Sequence, residues 1–418
     1  MSKNSRRTKK GSETRLKLQN IGQIKEADIK FGDLTVLVGP QATGKSILLQ
    51  ILKLILDTDH IHSTLSSYGF QWKDKKRFLE IYLGEGMRDL WNEKNDGGGA
   101  SCEFNGRPVY LKTLATKRGP SRLDQKCYFI PAHRALTLFY GWPQPFHAYQ
   151  TGYPYVVRDF SERLRLYMEK DIPQEEEVLF PREGVLKQVY REKMQQDIFA
   201  GYSLEIDRVS ISSRLVLQKD EGEMIHYGCW SAGQREFAPL LLGLYMVRPS
   251  GRSSKRGEID WVIIEEPEMG LHPKAISDVL LIVLDLLERG YRVCISTHSS
   301  HVLDLVWALK NIKENNGNAK HVLELFEVEK DQQVQQLLDI AQSALEKEYK
   351  VYYFEPDEKG MVTVKDISRL DPSSEEHWGD LEKFNTKACE VVAELVRSDY
   401  RRSGSDQVVA LHVREKSE

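Results

Sequence analysis

Long apolar runs are missing from this 418-residue sequence. The longest candidate, Val279 to Leu287, is broken by Asp285, which falls short of the ~18 residues a membrane span needs. Charge of one sign is lacking too: 59 Lys+Arg against 62 Asp+Glu leave a formal net charge of −3. Whole-protein charge therefore argues for neither a nucleic-acid nor a membrane partner, and any basic surface must be local. Cysteine is scarce and scattered. Cys102, Cys127, Cys229, Cys294 and Cys389 are odd in number and never spaced as C-x-x-C, which argues against a disulfide framework or a zinc knuckle and for reduced, mostly buried thiols. The opening MSKNSRRTKKGSETR is basic and polar with no apolar stretch behind it, unlike a secretory leader. The expected location is cytoplasmic. No internal repeat is visible.

What is present suffices for a core: 40% hydrophobic, 9% aromatic and 29% charged residues are globular proportions. At roughly 150 residues per domain the length admits two or three domains, or one large α/β domain with insertions. Residues 1–14 hold five cations and no apolar cluster, the pattern of a disordered basic arm. From Leu16 the sequence alternates apolar and polar residues and ends in the continuous run Leu34 to Val38, as outer strands leading to a buried one. A helical pattern, SILLQILKLILD, follows after Gly39 to Ser46. CEFNGRPVYLKTL and SRLVLQKDEGEMIHYGCW read as hairpins. Val156 to Gln196 reads as a charged helical insertion.

Beyond Asp260 strand and helix alternate: WVIIEE, a helix from about Lys274 to Arg289, RVCIS, and a helix from about His301 to Lys313. That alternation marks a parallel sheet. Pro273 suits a first helical turn and Gly290 a helix end. The tail adds an expected strand at HVLELFEV, a helix, a hairpin at YKVYYFEPDEKGMVTVKDIS and a helix from about Leu381 to Arg397. The expected fold class is α/β, a mixed sheet with a helical insertion and a C-terminal α+β extension. The expected divisions are an arm at 1–14, an N-terminal lobe at 15–130, a helical insertion or lid at 131–225, and a C-terminal lobe at 226–418.

Gly39-Pro40-Gln41-Ala42-Thr43-Gly44-Lys45-Ser46 matches G-x-x-x-x-G-K-[ST] between a buried strand and a helix, the context that gives this motif its meaning. Glycines let successive N–H groups and the positive helix end face a polyphosphate. Lys45 would reach the β- and γ-phosphates, and Ser46 would ligate Mg²⁺. The strand Trp261 to Ile264 ends in Glu265-Glu266-Pro267-Glu268, placing adjacent carboxylates at the ligand edge of a sheet. Glu265 would hold Mg²⁺ and Glu266 would act as general base, with the two roles exchangeable. Ser231-Ala232-Gly233-Gln234 is a capping box on its face. The same free N–H groups and hydroxyl suit a phosphate as well. His298, just beyond RVCIS, reads either as structural or as a γ-phosphate sensor.

The order GPQATGKS, WSAGQRE, VIIEEPEMGLHP, ISTHSSH resembles the ABC-type ATPase head of SMC-like repair proteins and of the overcoming-lysogenization-defect group, as does the opening LQNIGQIKEADIKF. The likeness is close over about 14–60 and 225–310 and loose elsewhere. It implies that Ser231 and Gly233 contact a γ-phosphate held by another subunit, that Met269-Gly270-Leu271-His272 form a D-loop, and that His298 is a switch residue beside the catalytic Lys45 and Glu266. Tyr128 to Arg134 resembles a segment in which the arginine, here Arg134, lies near the nucleotide. Ala232 departs from the usual glycine and Gln41 from the frequent asparagine.

The resemblance implies ATP and Mg²⁺ as cofactors, a homodimer or higher assembly formed through ATP, and a separately encoded effector. Length leaves no room for a coiled-coil arm. No Asp-x-Asp follows His298, so no nuclease site of the TOPRIM kind is expected here, and Glu355 to Lys359 reads as a polar turn. Stand-alone heads of antiphage systems such as Septu and PARIS, which pair with a nuclease, are the nearest functional analogy. A DNA-repair or DNA-end-binding ATPase using Lys73 to Arg77 or Arg401-Arg402 is the alternative, and a transport ATPase a distant third.

Overall fold

A computed structural model describes residues 14–93, 99–116, 124–149, 152–208, 213–219, 222–248, 255–328 and 331–370, together with 381, 391 and 392. The expected arm at 1–14 lies outside them but for Thr14, which opens the first strand. The expected helix near 381–397 and the pair Arg401-Arg402 also lie almost wholly outside.

Strands β1 (Thr14–Ile21) and β2 (Ile24–Phe31) form an antiparallel pair. The wholly buried β3 (Leu34–Val38) then runs into the glycine loop, and α1 (Lys45–Ser67) leaves it. Helix α2 (Lys75–Leu83) is capped by the Asp74 side chain. Strands β4 (Ser101–Phe104) and β5 (Arg107–Pro108) form the first expected hairpin, turned by Asn105 and Gly106 at positive φ. After α3 (Leu111–Ala115) comes β6 (Cys127–Ile130), then the short hairpin β7 (Leu138–Phe139) and β8 (Trp142–Pro143).

The stretch read as a helical insertion holds α4 (Tyr155–Leu166) and α5 (Gln188–Asp197), but it is not purely helical. Strand β9 (Val178–Phe180) lies between them and joins β10 (Ser203–Asp207), β11 (Arg214–Lys219) and β12 (Glu223–His226) in a four-stranded antiparallel sheet. Leu179 and Phe180 are buried there, and a strand this short is too brief to show alternation. Strands β11 and β12 are the second expected hairpin.

Helix α6 (Ala232–Val247), β13 (Trp261–Glu265), α7 (Pro273–Glu288), β14 (Arg292–Thr297) and α8 (Ser300–Glu314) follow the expected alternation. HVLELFEV, read as a strand, instead contributes to α9 (Ala319–Glu324). Ala319, Val322, Leu323 and Phe326 are all buried, a one-face helical spacing, and the Asn318 side chain caps the helix. Helix α10 (Asp331–Glu346) and the hairpin β15 (Tyr349–Pro356) with β16 (Val362–Asp366) complete the described chain.

The ten-stranded sheet runs β5-β4-β1-β2-β16-β15-β3-β14-β13-β6. Strands β15 to β6 are parallel neighbours, β1 pairs antiparallel with β2 and β4, and β16 joins the two parts, antiparallel to β15 and parallel to β2. Its residues alternate between two cores: Val36, Val38, Val262, Ile264, Val293 and Ile295 face one, and Leu37, Ile263 and Cys294 the other. Helices α6, α7, α8 and α10 cover the first face, while α1 and α2 cover the second. That double burial explains the continuous apolar runs. Cys102, Cys127 and Cys294 are buried free thiols and Cys229 is exposed. Among the described residues no helix is long and apolar enough to cross a membrane.

Candidate nucleotide site

Strands β3, β14 and β13 are parallel neighbours in that order, so their carboxyl ends open on one edge. Gly39 to Ser46, His298 and the Glu265-Glu266 pair meet there. Gly39 and Gly44 take φ of 148° and 91°, and Ala42 takes 59°, left-handed geometry that only glycine adopts without strain. Space is equally tight: a Cβ at Gly39 would lie 2.7 Å from the Phe354 carbonyl oxygen in β15, and one at Gly44 would lie 2.9 Å from Ile24 in β2. Gln23 Nε2 donates to the Ala42 carbonyl at 3.0 Å. The loop is thus gripped by β2 on one flank and by the tail hairpin on the other.

Lys45 is buried, and its Nζ donates to the carbonyls of Gly39 (2.8 Å) and Pro40 (2.7 Å), with Thr43 Oγ1 at 3.3 Å. Burial pulls its pKa down to about 8, against the fields of Glu266, Glu268 and Glu265. A buried ammonium of this kind has little desolvation left to overcome in exchanging loop carbonyls for the oxygens of an anion.

Glu265 is buried, and burial pushes its carboxyl up to about 7, opposed by the Ser46 hydroxyl and the Ala132 N–H. Oε2 accepts from Ala132 N at 3.2 Å, while Oε1 is buried with no hydrogen-bond partner. An orphaned carboxylate oxygen beside a serine hydroxyl is a donor set that a hard cation fits. Among the described residues no three His, Cys, Asp or Glu cluster for a metal, so further oxygens would have to come from phosphate and water.

Glu266 takes a positive φ of 43° and donates its N–H to the Ser296 carbonyl at 2.8 Å. Its Oε1 lies 3.5 Å from His298 Nε2, and that imidazole chiefly holds the carboxyl below its ordinary range. Glu268 supports the histidine from below: Oε1 accepts from Thr297 Oγ1 (2.8 Å) and from His298 N (2.6 Å). A half-exposed carboxylate kept ionised can accept a proton from water.

Ser231 caps α6, with the capping box complete: Gln234 N donates to Ser231 Oγ at 3.2 Å, and Ser231 N donates to Gln234 Oε1 at 3.0 Å. Ser231 and Ala232 are exposed, which leaves this helix end open to an anion as well. Gly233 packs on Gly270, bringing two motifs that are far apart in sequence together within one chain.

Arg134 is fully buried. Its Nη1 donates to the carbonyls of Glu265 (2.6 Å) and Pro131 (3.1 Å), Nη2 to that of Glu266 (3.0 Å), and Nε to that of Glu236 in α6 (3.3 Å). The guanidinium bonds to the backbone behind the carboxylates. Gln23, Glu236 and Phe354 were not singled out from sequence, because each acts through contacts that only the sheet order creates.

Residues 147–304 match the family described as "AAA domain, putative AbiEii toxin, Type IV TA system". The chain is 33% identical over 104 residues to the Old nuclease of Escherichia phage P2, over 24% of this chain and 18% of that protein. It therefore spans under a fifth of that relative's length. The SMC head bound to the C-terminal winged-helix domain of ScpA aligns over 84% of this chain and 96% of its own, at 10% identity and a TM-score of 0.40. The SMC head of Thermotoga maritima aligns over 84% and 98%, at 12% identity and a TM-score of 0.31. The family match covers residues 147–304 and the nuclease match 104 residues, and both agree with the motif order and with the meeting of those motifs on one sheet edge in likening this part of the chain to a P-loop ATPase head.

Proposed function

We propose that this chain hydrolyses ATP in a Mg²⁺-dependent reaction and uses nucleotide to assemble with further copies of itself. The observation that carries the reading is the meeting of Lys45, Ser46, Glu265, Glu266 and His298 at the carboxyl ends of β3, β13 and β14. Gly39 to Ser46 cradle the triphosphate, and Lys45 neutralises the β- and γ-phosphates. Ser46 and Glu265 hold Mg²⁺, which supplies charge neutralisation when bound. Glu266 takes the proton of the attacking water, and His298 keeps that carboxylate ionised and aimed. The exposed Ser231 helix end binds the γ-phosphate on a neighbouring copy, so that ATP joins the pair.

The output is the regulation of a separately encoded effector, a nuclease in bacterial antiphage defence, supported by the match to the AbiEii-related domain and to a phage nuclease. Direct duplex binding is the weaker reading. Within Lys73 to Arg77, Lys75 pairs with Glu93 (2.8 Å), Lys76 with Asp89 (2.5 Å) and Arg77 with Glu80 (2.7 Å), so the run is largely neutralised internally. The test is Ser231→Arg. Nucleotide binding by the single chain should survive within about twofold while ATP-driven association, read by light scattering, disappears. Association that persists reduces Ser231 to a helix cap.

A further inference from the structure

We propose that Arg134 is a positioning residue that couples the Ser231 helix to the strand end carrying Glu265 and Glu266, so that the two nucleotide sites of an ATP-joined pair fire together. This rests on the shared-nucleotide reading above. In such a pair Ser231 of one copy faces its neighbour's triphosphate, whereas Glu266 of that copy faces its own. Whatever ties α6 to Glu266 inside one chain therefore ties one site to the other.

Arg134 makes that tie. One planar guanidinium bonds the carbonyls of Glu265 and Glu266 on one side and of Glu236, in the second turn of α6, on the other. The Glu236 carboxylate adds an ion pair at 3.8 Å. Two residues earlier, Ala132 N donates to the Glu265 carboxylate at 3.2 Å, so one short loop fixes both acids. The clamp also has something to hold. Glu266 is a non-glycine residue at φ 43°, a conformation that persists only where its surroundings enforce it. With the guanidinium wholly buried, a shift of α6 is transmitted to the Glu266 carbonyl rather than absorbed by solvent. Lysine keeps the charge for Glu236 but cannot span both elements with one planar fork.

The experiment uses the full chain and reads ATP hydrolysis against ATP concentration, ATP-driven association by light scattering, and melting temperature. Wild type should show a Hill coefficient above one. Arg134→Lys should lose at least about tenfold in kcat with KM within about twofold, keep association, and fall to a Hill coefficient of one. A variant with wild-type kcat and Hill coefficient overturns the coupling, and so does one in which KM alone rises, as for a direct nucleotide ligand. Should Arg134→Lys melt before assay, Glu236→Gln removes the ion pair and leaves the backbone bond in place. Its Hill coefficient should drop at unchanged KM, and an unchanged coefficient overturns the proposal. Wild type that fails to associate with ATP sinks the shared-nucleotide reading itself, and with it the coupling. Normal association with unaltered variants sinks the coupling alone.

Discussion

Gly233 and Gly270 meet backbone to backbone. A Cβ at Gly233 would lie 2.6 Å from the Gly270 carbonyl oxygen, and Gly270 itself takes a φ of 72°. The open end of α6 and the loop after β13 are thus one surface, shaped by two missing side chains. Gly233→Ala gains helix propensity but must push a main chain aside, for a net cost of about 1–2 kcal/mol. ATP-driven association should weaken at least about tenfold while binding of nucleotide by the single chain is retained. Sedimentation with and without ATP checks it, and normal assembly of Gly233→Ala counts against the shared surface.

Lys45 and Glu266 should separate binding from chemistry. If Lys45 serves the triphosphate as proposed, Lys45→Ala should abolish binding of a fluorescent ATP analogue. Glu266→Gln keeps the site's shape but removes the proposed base, so hydrolysis should fall about 100-fold or more while the ATP-bound assembly accumulates. A Glu266→Gln protein turning over at the wild-type rate refutes the base assignment.

Glu265 predicts a pH signature. Its carboxyl sits at about 7 in the folded chain against an ordinary 4.5, so between those values the native state keeps a proton that the unfolded chain has released. Stability must therefore fall as pH rises through that window, by roughly 3 kcal/mol in all. Glu265→Gln should flatten this part of the melting-temperature profile. Mg²⁺ with ATP should flatten it too, since a bound cation favours the ionised form. Below pH 7, metal affinity should drop about tenfold per pH unit. Coincident pH profiles for wild type and Glu265→Gln exclude the assignment.

Lys53 and Asp57 form a wholly buried ion pair at 2.6 Å, where α1 breaks its helical geometry at Asp57. Asp57 also accepts from the N–H groups of Lys126 and Cys127, and Lys53 donates to the Cys127 carbonyl. Lys53→Ala strands the carboxylate and should cost about 3–5 kcal/mol in urea unfolding. A loss under about 1 kcal/mol contradicts the burial argument.

Strands β3, β13 and β14 were legible because they are apolar on both faces and the helices beside them carry start and stop residues such as Pro273 and Gly290, whereas β6 was not read as a strand and β15 only as half of a hairpin. So were the motif residues, whose chemistry is local in sequence. Val322 and Leu323 in α9 misled by their β-forming company, although burial at 319, 322, 323 and 326 follows a helical period. Strand β9 was too short to announce itself. Arg134 is the instructive case: its segment resembled known relatives, but its bonds to Glu236, Glu265 and Glu266 span more than 100 positions in the chain. No spacing rule reaches that far, because the contacts exist only once β6 lies beside β13.

The seat of β15 against β3 bears on biosynthesis. Tyr349 to Tyr353 pair with Leu34 to Val38, and Phe354 crowds Gly39. A ribosome delivers the phosphate loop before one wall of its cradle, which arrives only after residue 354 has emerged. Without β15, β3 would be left as an unpaired edge on that side, a bare and sticky rim.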